Sequence, residues 1–419
     1  MKIVSFVKNN KQLHNLSIYG FGQGFNLITP ILIIPYIISV CGLSNYGKTA
    51  TVMAIIFFLM VFIDYGCEIS GVKAVSVNRD DKQKLKHIFA TTYGAKFVML
   101  FTIVLICIFI NLFIPYFNRE FSLYMLSLPI LLGQFLNPTW YLQGVENFKQ
   151  ITTINILSKL IYVIGIFKVV NTADDYIFVN LCWGLGMIIA NGISFYLISK
   201  SLKIGVKDFN RQSVINHLRS EFSIFYSQIF VSIQLYSPLI LVGFFGGAFL
   251  AGIYRVVDQV VVIFKTYLLL FFNFVFPRVC YLLGGSTEKG LKFWSVYNGL
   301  NFVFILFAMF IIYNNAEYIV AYFSPEDNDG IARLLRIGVY LPIIMALSIP
   351  LKQLVLGLNH NRYYVNTTVT LAVLNLFAII SLLSRYGVEG VLWSLIVTEI
   401  LMVLLLYLKI NKVLFLPLK

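Results

Sequence analysis

Seven ionisable side chains lie well inside long apolar runs of this sequence: Lys96, Lys159, Arg255 and Lys265, with Asp64, Asp258 and Glu399. A charge at mid-bilayer costs at least ~2.5–3.5 kcal/mol on insertion scales, so seven of them facing lipid would be prohibitive. Most must meet one another or line a water-filled cavity. Arg255 and Asp258 are three residues apart and share a helix face, which suits a local ion pair. Lys96 and Lys265 have stems long enough to carry the ammonium towards the membrane surface. Guanidinium and ammonium groups suit phosphate oxygens. The chemistry in prospect is therefore recognition of an anionic, hydrophilic cargo in a mainly cationic cavity, with Lys96, Lys159, Arg255 and Lys265 as the binding groups. Carboxylates removed from water take up protons more readily, which makes Asp64, Asp258 and Glu399 candidates for ion coupling. Polar residues such as Asn155, Ser158, Asn180, Gln228 and Asn301 are available to bond sugar hydroxyls or to join helices.

The elements that carry these groups are membrane helices. Apolar residues make up 59% of the 419-residue chain and charged residues 12%, with a mean hydropathy of +0.84. A soluble chain could not cover its surface with so few charges. Runs of roughly 20 apolar residues, long enough to span the hydrocarbon, recur at about 14–41, 48–70, 89–113, 122–141, 151–170, 176–199, 222–242, 249–275, 293–313, 331–356, 363–384 and 389–408. The expected fold is all-α and integral to the membrane, with twelve transmembrane helices. Pro129, Gly144 and Lys149 recur as Pro342, Gly357 and Arg362, each 213 positions later. That echo predicts two six-helix lobes related by a parallel repeat: an N-lobe over 1–199, a cytoplasmic linker over 200–221 and a C-lobe over 222–419. Pro30 and Pro35 interrupt the first run, and Pro138 and Gly144 mark the end of the fourth. A proline in a spanning helix frees backbone carbonyls, so these four are gating candidates, with a packing kink as the alternative.

The net charge of +14 is not gathered in one patch, which argues against nucleic acid. Of the 32 Lys and Arg, 21 fall in segments on one side of the predicted spans, three on the other and eight within runs. Among the 21 are Lys2 and Lys8. The positive-inside rule then places both termini in the cytoplasm. A long outer loop near 314–330 is acidic, with Glu317, Glu326, Asp327 and Asp329. No loop exceeds about 22 residues, which leaves no room for a catalytic domain. No nucleotide-binding, nucleophile-elbow or HExxH pattern occurs, so neither an enzyme nor an ATP-driven pump is expected. The five cysteines show no CxxC and are expected as free thiols. The four histidines have no metal-ligand spacing, so no metal or other cofactor is expected.

Several short motifs now carry a resemblance. Tyr19-Gly20, Pro30, Pro35-Tyr36, Tyr46-Gly47 and Asp64-Tyr65-Gly66 resemble the opening of Wzx-type O-antigen flippases. Pro138-Thr139-Trp140-Tyr141-Leu142-Gln143-Gly144 is similar to that family's most recognisable segment, and Tyr254 to Gln259 with Pro277-Arg278 to its second-lobe pattern. The resemblance implies the multidrug/oligosaccharidyl-lipid/polysaccharide exporter superfamily. It further implies movement of undecaprenyl-pyrophosphate-linked oligosaccharide across a bacterial inner membrane, for lipopolysaccharide biosynthesis. An O-antigen polymerase and a chain-length regulator are then the implied partners. A multidrug exporter of the same superfamily is the first alternative, although cationic drugs call for acids in the cavity. A membrane polysaccharide polymerase is the second, and the short outer loops argue against it.

Overall fold

The computed structural model describes residues 11–324, 328–358 and 360–414. Lys2, Lys8, Glu326 and Asp327 lie outside the described residues. The chain divides into two compact units, Met1–Tyr236 and Ser237–Lys419. The division falls inside one continuous helix, Arg211–Leu241.

In the first unit, α1 (Lys11–Cys41) and α2 (Leu43–Asp64) are joined by Gly42 alone. α1 stays helical through Pro30 and Pro35. A short α3 (Ser70–Val77) and the long α4 (Lys82–Phe113) follow. The 122–141 run is not one helix. It is α5 (Phe121–Ser127), α6 (Pro129–Phe135) and α7 (Thr139–Gly144). α8 (Phe148–Val169), α9 (Val179–Leu202) and α10 (Arg211–Leu241) complete the unit, the last crossing its boundary. α8 and α9 approach until a Cβ on Gly186 would lie 2.4 Å from the Ser158 carbonyl oxygen, the small-residue packing common between membrane helices. Phe89, Tyr93, Trp140 and Tyr141 belong to one buried cluster, so the 138–144 segment sits in the core of its unit.

The second unit holds α11 (Ala248–Gly285), α12 (Thr287–Asn314), α13 (Ala316–Phe323), α14 (Asn328–Gly338), α15 (Tyr340–Gly357) and α16 (Asn361–Leu414). α16 is bent at Gly387, where φ is 58° and ψ is −143°. An L side chain rarely adopts that region, and glycine does so freely. The halves of α16 lie side by side: Tyr363 Oη donates to the Leu405 carbonyl at 2.9 Å, and Ser394 Oγ lies 3.2 Å from Asn375 Oδ1.

Ten helices among the described residues are long and apolar enough to cross a membrane. Twelve were expected. The 122–141 run falls short because it is broken at Pro129 and Pro138, and the two last runs count as one because α16 continues through its bend. Phe97, Phe101, Leu105, Phe109 and Phe113 recur every fourth residue on α4 and are all more than half exposed. Such a stripe suits lipid, not water. The five cysteines are free thiols, as expected.

The echoing positions fall at matching places in the two units. Pro129 and Pro342 lie in the first turns of α6 and α15, Gly144 and Gly357 end α7 and α15, and Lys149 and Arg362 are the second residues of α8 and α16.

Candidate functional site

A buried polar cluster begins where α2 ends. Asp64 is its last residue, and the chain then turns through Tyr65 and Gly66, both at positive φ. Lys96, halfway along α4, reaches the Asp64 carboxylate at 3.2 Å and is only 1% exposed. Gln134 of α6 donates through Nε2 to the other carboxylate oxygen at 2.7 Å. Lys96 Nζ also donates to two backbone carbonyls, Gln134 at 3.0 Å and Asn137 at 3.4 Å.

The helix break explains those carbonyls. In an unbroken helix the Gln134 carbonyl would accept from the N–H of residue 138. That residue is proline, which has none. The Asn137 side chain then accepts from the Thr139 N–H at 3.0 Å and starts α7 afresh. Pro138, expected as a gate, therefore sits at a break that gives Lys96 part of its binding cage. Gly144 is a close-packing position: a Cβ there would lie 2.5 Å from Val75 of α3.

A cavity of about 250 Å³ opens beside Asp64, lined among others by Glu68, Gln134, Gln228, Ser232 and Tyr236. All belong to the first unit. Asp64 and Glu68 line this space and Lys96, paired with Asp64, does not. Lys159 is half-buried on α8, with its ammonium 3.2 Å from the centre of the Trp183 ring. Trp183 in turn packs on Phe57, a wall residue of the cavity, at 5.9 Å between ring centres. A cation held on an aromatic face is stabilised by the ring quadrupole.

In the second unit, Arg255 Nη1 donates to Asp258 Oδ2 at 2.8 Å, the pairing that their spacing predicted. Lys265 follows Asp258 by two turns on the same face of α11 and is half-buried. Glu399 is 7% exposed. It accepts from Ser348 Oγ and lies 3.4 Å from Lys352 Nζ. Sequence reasoning passed over Lys352, Gln134 and Asn137. Lys352 had one usable signal, a cation inside an apolar run; the amides had none that set them apart from other helical amides. Among the described residues, no three His, Cys, Asp or Glu side chains gather as a metal site.

The helices and their lipid-type surface define a multi-pass membrane protein, and its architecture is that of known transporters. The structure matches lipid II flippase MurJ in its inward closed conformation with a TM-score of 0.75 at 15% identity, over 94% of this chain and 87% of that one. It matches an inward-facing MATE multidrug resistance transporter of the MOP superfamily with a TM-score of 0.72 at 14% identity, over 92% and 95%. The model of the family described as "Polysaccharide biosynthesis protein" matches residues 13–282, and the chain belongs to that family. Two relatives span nearly its whole length, each named "Putative O-antigen transporter". One, from Escherichia coli (strain K12), is 22% identical over 94% of this chain and 95% of its own. The other, from Shigella dysenteriae, is 23% identical over 93% and 98%. These matches agree with the resemblance to Wzx-type flippases of the multidrug/oligosaccharidyl-lipid/polysaccharide exporter superfamily.

Proposed function

We propose that this protein is a non-enzymatic flippase that carries an undecaprenyl-pyrophosphate-linked O-antigen oligosaccharide across the bacterial inner membrane. The family match across more than half of the chain carries this reading, and the names of the two full-length relatives support it. The 122–141 segment counts as a broken span and α16 as a hairpin, which gives twelve crossings with both termini in the cytoplasm. The lobes are 1–199 and 222–419, joined by 200–221. They alternate in access, with sugar and pyrophosphate in a hydrated lumen and the polyprenyl tail in lipid. Lys159, Arg255 and Lys265 bind the cargo's anionic part, and Lys96 acts through Asp64. Asp64, Asp258 and Glu399 are the groups through which an ion would couple. Pro30 and Pro35 bend α1 during the cycle. An O-antigen polymerase would take up the delivered units, with a chain-length regulator beside it.

In a deletion strain, plasmid-borne Lys159→Ala or Arg255→Ala should lower surface O-antigen several-fold at normal protein abundance, read by lipopolysaccharide gels beside an immunoblot. Wild-type O-antigen from either variant would remove that residue from the cargo path.

One observation favours multidrug export instead: the first-unit cavity presents carboxylates, Asp64 and Glu68, where cations were expected. Susceptibility profiling separates the readings. The flippase reading expects the deletion strain to lose O-antigen and keep wild-type tolerance of lipophilic cationic drugs. Drug sensitivity with O-antigen intact would reverse the assignment.

A further inference from the structure

We propose that a basic hollow on the first unit, formed by α4, α7, α8 and α9 with the turns that carry Arg79 and Asn147, binds the headgroup of an anionic phospholipid. The hollow is about 670 Å³ and is lined by Arg79, Lys82 and Lys149, with Asn147, Gln150 and Thr153. It lies apart from the Asp64 cavity and shares none of its lining residues.

Three helix ends build it. Lys82 opens α4, Lys149 is the second residue of α8, and Ser201 and Leu202 close α9. Asn147 caps α8 by accepting from the Gln150 N–H at 3.2 Å, and its amide donates to Gln150 Oε1 at 3.0 Å. Gln150 is held further by Ser194, at 2.6 Å. The floor is apolar and buried: Leu85, Leu142, Ile198 and Leu202. Arg79 pairs with Glu146 at 3.3 Å across one edge, and Glu146 is held at a φ of +59°. Lys82 and Lys149 are exposed and form no ion pair among the described residues.

An anionic occupant follows from the cations; a lipid follows from what adjoins them. Leu197 lines the hollow and also belongs to an exposed ridge on α9, with Ile193 and Ile189 one and two turns further along. All three are at least 45% exposed. Lys200 extends the charge along the same helix end, its ammonium 5.9 Å from the Tyr196 ring centre. A phosphodiester in the hollow would thus place its acyl chains along an apolar face already turned to the bilayer. Basic pockets between helix ends on the cytoplasmic side are where anionic headgroups bind. A soluble phosphate would use the cations and leave the ridge without a role.

The test compares dioleoyl-phosphatidylglycerol with dioleoyl-phosphatidylcholine, binding to the full-length protein in detergent by native mass spectrometry. Wild type should prefer phosphatidylglycerol. Lys82→Gln/Lys149→Gln should weaken phosphatidylglycerol binding about thirtyfold, each lysine near an anionic headgroup being worth about fivefold. Lys289→Gln/Lys292→Gln, which changes the net charge equally in the other unit, should leave the preference intact. Equal binding of the two lipids, or an unchanged preference in the first variant, would overturn the proposal. So would loss of the preference in the control, which would make it a field of the whole protein. Competition by millimolar inorganic phosphate with no dependence on acyl chains would assign the hollow to a soluble anion instead. No transport is read, so the result stands apart from the fate of the flippase reading.

Discussion

Lys96→Met should remove most of the folded protein from the membrane, and adding Asp64→Asn should restore much of it. Lys96 is enclosed and its ammonium is the only cation within ion-pairing distance of Asp64 among the described residues. Taking away one member of a buried pair strands the other, at a cost of about 3–5 kcal/mol. A domain with a total margin of about 5–15 kcal/mol cannot absorb that unnoticed. Asp64→Asn alone should be milder, because Lys96 keeps the Gln134 and Asn137 carbonyls. Fluorescence-detected size exclusion and thermal melting of solubilised membranes would measure all three variants. If Lys96→Met matched wild type in abundance and melting, the pair would not be a structural brace. If it also lost export, Lys96 would return to the cargo path.

Gly144→Ala should destabilise the first unit by about 1–3 kcal/mol, the usual range for overpacking a filled site. Its Cβ would sit 2.5 Å from the Val75 Cβ and 3.1 Å from the Val72 carbonyl oxygen, so α3 would have to move. Gly357→Ala, at the matching place in the second unit, should cost less than about 1 kcal/mol. There the nearest atom is the tip of Leu283, at 3.0 Å, which can rotate away. Melting temperatures of the two variants would order them. A Gly144→Ala protein with normal abundance and impaired export would instead make this glycine a gate.

The contrast shows which parts of the molecule could be read ahead. Membrane character followed from composition, and the Arg255–Asp258 bond from a three-residue spacing, because both are local properties. The Asp64–Lys96 and Lys352–Glu399 pairs join residues 32 and 47 positions apart. Helical periodicity says nothing about which faces will meet across such distances, so a sequence shows Lys96 as a deep cation and not as the buried partner of Asp64. The break at Pro138 was visible as a proline, but the apolar run around it looked like one span. The side-chain acceptor at Asn137, which restarts the helix, has no signature beyond its neighbour. Asp64 stood out, for a like reason, only as a deep charge: a sequence tells which charges are deep, not which of two partners is in front.

The bend at Gly387 bears on how the chain is made. Its flanking segments turn back on each other through a short connection whose polar residues are Ser384, Arg385 and Glu389, and the Asn375–Ser394 contact ties them near the turn. A ribosome delivering this stretch gives the insertion machinery only a short polar turn to thread across before the second segment arrives. The two segments would therefore enter the bilayer together, as a preassembled hairpin.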